Sequence, residues 1–454
     1  MEVNMKVEIN AAKQKVVGIF TTFQESDTAY SLNNVTEDQI KMLVMHGYKP
    51  VVITAGDFKS RGAYDLAEIV RIVAVPCHNE VRKDESFDSD VAKIKEDVKK
   101  VIEEYKIDVF LTHDIVYQPA ALKHNIACRM LAEEFPNIKW LHWIHSATSP
   151  FQLITLRQFF TDEYMNVLSK PFPNSKYVFF NHYSIPRIAR NFNVRKEDVA
   201  VVYHPIDMAE YFGWDEMTTK LVYEKDLLSA DAICVYPIRL DRGKQVQHII
   251  KTMSELRFFK IDLRSSFDIR IVICDFHSSS NDPNDDKFKY RAELKQLAKD
   301  LNLSDKELIF TSEFDPALKV RCSRQMVRNL FMLSNVYIHA STSESYSLTT
   351  QEAGVCGNTV VLNADFPPMM DIYGNQPIYR QYSSNIDAKT GLDGSTTTKY
   401  GGGSEADEML YHQETAQQIA DRLHQPDKMF QRKLIKTRNL HAIFVSQLEP
   451  LING

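Results

Sequence analysis

The sequence predicts two doubly wound α/β domains in tandem. Three observations carry this. Its 454 residues exceed what one hydrophobic core usually organises. Short β-branched runs alternate with longer segments of helical period, the pattern of a parallel sheet covered by helices. The alternation is interrupted near His204 to Gly213, by Pro205 and Gly213, and then restarts.

Taken in order, the first half offers strands at Lys15–Phe20, Pro50–Thr54, Val70–Val75, Val109–Thr112, Lys139–Ile144 and Val199–Tyr203. Between the first two, Thr36 and Gln39 have capping-box spacing, Ile40, Leu43 and Val44 form an apolar stripe, and Gly47 suits the position after a helix end. Further helices are expected over Asp90–Tyr105 and Pro119–Phe135. The triplet Asp88-Ser89-Asp90 is read as a helix cap rather than a metal-binding Asp-x-Asp. The second half repeats the pattern, with strands at Ile233–Pro237, Asp268–Cys274, Leu308–Thr311, Val336–His339 and Thr359–Leu362. The expected boundaries are an N-terminal domain over 1–207, a C-terminal domain over 208–427, and a terminal helix over 428–454 that packs back toward the N-terminal domain. Two loops stand out, Ser278–Lys287 and the triple-glycine stretch Ser395–Ser404.

Composition excludes several classes. Hydrophobic residues at 44% and charged residues at 25% are ordinary globular usage and argue against wholesale disorder. A net charge of −6 argues against a polyanion-binding surface over the whole protein, though not against a local basic cleft. The six cysteines are far apart with no C-x-x-C pair, so neither a zinc knuckle nor a disulfide framework is expected and a reducing, cytoplasmic setting fits. The first 15 residues carry charges and no apolar core of a secretory signal, and no apolar run approaches the length of a membrane span. Only 15 glycines are present, so a glycine-rich phosphate loop would have to be local.

The chemistry concentrates in Val336 to Asp365, which reads as strand, loop, helix, glycine stop, strand. Glu344 falls in the loop and Glu352 eight residues later, inside a helix expected to begin near Ser347 and end before Gly357. Backbone N–H groups near Ser347 and Leu348 and the positive end of the helix dipole make an anion site suited to phosphate. Glu344 is then placed to meet sugar hydroxyls, and Glu352 to accept two hydrogen bonds from a ribose diol. Upstream, Tyr236–Lys244 (YPIRLDRGK) sets Arg239 and Lys244 five residues apart between a strand and a helix starting near Gln245.

These two stretches resemble the signatures of the family 4 glycosyltransferases, retaining nucleotide-sugar enzymes of the GT-B fold. The first is similar to the family's Glu-x7-Glu, down to the Glu-x-aromatic-x-Leu of Glu344, Tyr346 and Leu348 and the Glu-Ala of Glu352 and Ala353, with Ser347 where the family usually has Gly. The second is similar to the family's Gly-Arg-Leu-x-x-x-Lys-Gly segment, in which the Arg and Lys clamp the donor pyrophosphate. A weaker likeness covers His145, at the end of a strand like the family histidine that reaches the transferred sugar, and Ser184 with the segment VVYHPIDMAEYF. The family's Gly-Gly loop after the first strand is replaced by Thr21–Tyr30, and His113 and His142 are read as structural histidines.

The resemblance implies a GT-B fold, two Rossmann-like domains facing a central cleft, and a retaining, metal-independent glycosyltransferase with no cofactor beyond its nucleotide diphosphate sugar co-substrate. Glu344 and His145 would be the catalytic residues, and Arg239, Lys244, Tyr346, Ser347, Leu348 and Glu352 the substrate-binding ones, with no metal ligand. Two other readings remain open: a GT-B sugar-nucleotide epimerase, and a non-catalytic nucleotide-sugar binding protein. The acceptor is undetermined. Residues 151–200 hold seven Lys and Arg against four Asp and Glu, so an anionic acceptor such as a hydroxymethylated DNA base, in a phage setting, stands beside saccharides.

Overall fold

The computed structural model describes residues 14–21, 31–56, 58–72, 85–149, 162–276, 285–341, 346–364, 367–382 and 405–454. The chain forms two compact units, Met1–Asp207 with Arg438–Gly454, and Met208–Thr437.

The first unit is built on seven parallel strands: β1 (Val16–Phe20), β2 (Lys49–Thr54), β3 (Glu68–Arg71), β4 (Val109–His113), β5 (Lys139–Trp143), β6 (Ser175–Phe179) and β7 (Val199–Val201), in the order β3-β2-β1-β4-β5-β6-β7. This is the doubly wound order, with the direction of winding reversing between β1 and β4. Because side chains alternate along a strand, each sheet face gathers its own core. Phe20, Val51, Phe110 and Trp140 lie in one apolar cluster, and Ile19, Val52, Leu111 and Leu141 in the other. On the first face, Phe110 stacks on Trp140 with centroids 4.6 Å apart, and Gly18 leaves room for the Phe110 ring: a Cβ there would sit 2.4 Å from its Cε1. Gly18→Ala should therefore cost about 1–3 kcal/mol by overpacking. A melting temperature equal to wild type would contradict this packing.

The second unit repeats the plan with six parallel strands, β8 (Ala232–Arg239), β9 (Ile269–Phe276), β10 (Leu308–Phe310), β11 (Val336–His339), β12 (Thr359–Asn363) and β13 (Ile378–Arg380), in the order β10-β9-β8-β11-β12-β13. Its reversal falls between β8 and β11. Most positions of β8 and all of β11 are buried, as expected for strands covered on both faces.

Four local expectations are corrected. The first helix runs Ser31–Met45, so Thr36 is inside it, and its hydroxyl donates to Leu32 O at 3.1 Å instead of capping. The Asp88-Ser89-Asp90 triplet lies in the first turn of the Phe87–Tyr105 helix; Ser86 holds the cap position, while Asp90 accepts from Lys123 at 2.6 Å. Two strands escaped the sequence reading: β6, which opens on the polar pair Ser175-Lys176, and the three-residue β13. The helix expected to run on from Lys428 divides at Asn439, whose side chain accepts from Ala442 N at 2.8 Å and starts a new helix.

Up to Thr437 this tail belongs to the second unit, where the buried Arg432 guanidinium donates to Ala230 O, Leu333 O and Leu227 O. Beyond it, Leu440, Ile443, Phe444, Leu448 and Ile452 complete the core under Ile40 and Leu43 in the first unit. Phe444 stacks on His46 at 4.0 Å, and Gln447 accepts from Tyr203 N at 2.8 Å. No described helix is long and apolar enough to cross a membrane.

Candidate functional site

In open α/β sheets ligands bind beyond the carboxyl ends of the strands, where the winding reverses. In the second unit this point is flanked by β8 and β11, and each strand leads directly into one of the two segments singled out in the sequence. Arg239 ends β8 with its side chain 72% exposed, its Nε donating to Asp241 at 3.1 Å. Lys244 closes the short turn Arg242–Lys244, and Gln245, in left-handed conformation (φ 49°), starts the Val246–Leu256 helix. Arg242, the other cation here, is bound by Glu293 at 2.7 and 2.8 Å and lies over the Tyr290 ring. The buried Gln245 amide, oriented to satisfy both neighbours, donates to Ala340 O at 2.9 Å and Tyr382 O at 3.3 Å, tying the turn after β8 to the chain leaving β11.

After β11, Glu344 lies outside the described residues. The chain resumes at Tyr346 and enters the Leu348–Val355 helix through Ser347, which has φ 62° and ψ 78°. That left-handed conformation costs a residue with a Cβ about 1–2 kcal/mol. Glycine would adopt it freely, and here the serine is held from both sides. Its Oγ meets Thr350 Oγ1 at 2.9 Å, while Tyr373 Oη donates to the carbonyls of Tyr346 and Ser347 at 2.9 and 2.8 Å. Leu348 is exposed. Glu352, one turn into the helix, is 38% exposed and 3.5 Å from Arg324, and both line a groove of about 640 Å³ together with Leu348 and Arg328. Arg239 and Lys244 thus stand at and after the end of β8, and Tyr346, Ser347 and Leu348 after the neighbouring β11, with Glu352 on the helix leading away.

His145 belongs to the first unit, two residues past the end of β5. It does not act alone. Its Nε2 is 3.0 Å from Nδ1 of His113, at the end of β4, and His113 Nε2 is 2.8 Å from Gln39 Oε1. The carbonyl oxygen of Gln39 only accepts, so His113 carries its proton on Nε2 and receives the His145 Nε2–H on Nδ1. His145 Nδ1 is left as the basic nitrogen. Burial, then the neighbouring His204, lowers the His145 pKa to about 4, and burial keeps His113 neutral as well. Asp114, next in the chain, turns left-handed at φ 58° and is buried; burial raises its pKa to about 7. Its Oδ1 finds no hydrogen-bond partner among the described residues.

His113 is buried and hydrogen-bonded on both ring nitrogens, as expected of a structural histidine; the sequence gives Gln39 only a capping role and does not single out Asp114 or Tyr373. The available signal was position: His113 closes a buried strand with Asp114 just after it, and His145 lies just past the end of another. His142 is a buried structural histidine, 2.8 Å from Thr112 Oγ1. The segment 22–30, most of the loop read as replacing a Gly-Gly turn, and the glycine-rich stretch 395–404 lie outside the described residues.

No family model matches the chain, and no curated protein matches it. Solved structures similar to it include a glycosyltransferase from Rickettsia africae, 15% identical over 97% of this chain and 98% of that one, with a TM-score of 0.34. Another is Anabaena HepE in complex with UDP and glucose, 14% identical over 97% of each chain at a TM-score of 0.31. A third is a trehalose-phosphate synthase (UDP-forming) from Burkholderia xenovorans, 11% identical over 96% of this chain and 99% of that one at 0.33. Overlaps this loose carry no argument about the chain.

Proposed function

We propose that the protein is a retaining GT-B glycosyltransferase that moves a sugar from a nucleotide diphosphate sugar to a hydroxyl acceptor. One observation supports this most: the two segments whose side chains suit a sugar diphosphate lie at the carboxyl ends of β8 and β11, the strands flanking the reversal of winding. In this reading Arg239 supplies forked donors and Lys244 a point charge to the pyrophosphate, beside the backbone entering the Leu348–Val355 helix. Leaving-group charge is neutralised by these groups, without a metal on the diphosphate. Glu352 holds the ribose diol, and Tyr346 and Leu348 border the nucleotide. The bond from the anomeric carbon to the phosphate oxygen breaks, the acceptor oxygen bonds on the same face, and the acceptor proton passes to the departing phosphate. No nucleophilic carboxylate is required, unlike in retaining glycosidases. His145 is the second catalytic residue beside Glu344.

Incubation with a panel of nucleotide sugars, following released nucleotide and the fate of the sugar, tests the proposal. Transfer or slow hydrolysis with net retention supports it. An epimerised nucleotide sugar, or binding with no turnover at all, replaces it. Glu344→Ala should lower kcat more than donor affinity, because the carboxylate counters positive charge that grows only toward the transition state. A loss confined to donor binding would remove that role.

For the acceptor, the basic bias of residues 151–200 fits an ordinary solvated surface, and the sharper case is an anionic acceptor such as hydroxymethylated DNA, beside saccharides. Transfer to modified DNA should then fall steeply as salt rises while donor binding changes less. Transfer only to neutral saccharides, insensitive to salt, eliminates the nucleic-acid acceptor.

A further inference from the structure

In the second unit the Val246–Leu256 helix packs against the Glu405–Leu423 helix, and three metal-ligating side chains converge where they meet. Glu408 and His412, four residues apart, share one helix face; His248 faces them from the other helix. His248 and His412 are buried.

The spacing of the donor atoms is informative. His248 Nδ1 lies 3.4 Å from His412 Nε2 and 3.9 Å from Glu408 Oε1, and His412 Nε2 lies 3.7 Å from the same oxygen. Good hydrogen bonds between such atoms span about 2.7–3.2 Å, so all three edges are long for direct pairing. Ligand atoms about 2.0–2.1 Å from a tetrahedral zinc ion are about 3.3–3.4 Å apart, which this triangle matches to within roughly 0.5 Å.

The surroundings agree. Thr252 Oγ1 is 2.8 Å from His412 Nδ1; with that nitrogen donating to the hydroxyl, Nε2 turns its lone pair into the triangle, as outer-shell partners of metal-bound histidines do. The Tyr382 ring stacks on His248 at 5.3 Å. Lys251 Nζ lies 2.6 Å from Glu408 Oε1, so an ammonium already occupies part of a cation's place; at 27% side-chain exposure it is able to swing into water.

We propose that His248, Glu408 and His412 bind one Zn²⁺ or a comparable first-row divalent ion, with the remaining position taken by water, pinning the two helices together. The two-imidazole, one-carboxylate set selects such an ion over Mg²⁺ or Ca²⁺. This is independent of the reaction proposed above, which places no metal on the diphosphate.

The test uses the full chain, stripped with chelator and titrated with Zn²⁺ against a chromogenic competitor, with Co²⁺ as the spectroscopic probe. Wild type should take up one ion per chain, melt higher with zinc, and give the intense visible bands of tetrahedral cobalt. His412→Gln and Glu408→Gln should each weaken binding at least about tenfold. If either variant fails to fold, Lys251→Met, which keeps every ligand, should bind more tightly, since it removes a positive charge beside the ion. Substoichiometric uptake by wild type overturns the proposal, as does wild-type affinity in the ligand variants or unchanged or weaker affinity in Lys251→Met.

Discussion

Arg239→Ala and Glu352→Gln should each lower kcat/KM for the nucleotide-sugar donor by about 10- to 150-fold, the loss of a charge-assisted hydrogen bond of about 1.5–3 kcal/mol. Folding should be almost untouched. Arg239 is 72% exposed and paired with Asp241 at its own turn, and Glu352 meets the 93% exposed Arg324 at 3.5 Å. Ion pairs of this kind contribute about 0–1 kcal/mol. Normal melting with impaired donor use would locate the effect in recognition. Wild-type donor affinity and turnover in both variants would move the donor site elsewhere, and a large loss of stability would mean that these side chains support the fold instead.

Asp114→Asn should make the first unit more stable at alkaline pH, by up to about 4 kcal/mol. The sign follows from the direction of the shift. Burial raises the folded pKa from 3.8 to about 7, so the fold accepts the protonated acid and resists the carboxylate. The penalty is fully present above pH 7, where the folded group is ionised. It shrinks as pH falls below 7 and is gone below about pH 4, where the unfolded chain is protonated as well. Asparagine keeps the shape and one acceptor without the charge. Melting of both proteins at pH 8 and pH 4 checks this: a difference at pH 8 that disappears at pH 4 is expected, and a variant no more stable than wild type at pH 8 refutes it.

The parallel sheets were readable because β-branched runs such as Val109–Thr112 and Ile233–Pro237 are bounded by polar or turn residues, and burial on both faces demands such runs. The strand Ser175–Phe179 was not, because its two polar leading residues weaken the signal and the neighbouring strands decide the pairing. In the segments after β8 and β11, spacing along the chain pairs Arg239 with Lys244 and Tyr346 with Leu348, since local chain geometry fixes those offsets. The hydroxyl of Tyr373 on the Ser347 turn had no such trace: the donor arrives from a helix 26 residues on. The Gln39, His113 and His145 chain joins three separate segments, and the shift of Asp114 depends on a burial that its own sequence neighbourhood does not encode.

The return of residues 438–454 to the first unit sets an order of assembly. The second unit is a continuous stretch, so every residue it needs is synthesised before the tail. The first unit begins earlier and finishes later. The surface of Ile40 and Leu43 waits for Leu440, Ile443, Phe444 and Leu448, which are translated only after the whole intervening unit. Until then an apolar face of a nearly complete sheet stands open to solvent, and closing it spans almost the full chain, a slow and entropically expensive step. Chains released without residues 440–454 should therefore be the ones that chaperones hold, with the second unit native and the first still open.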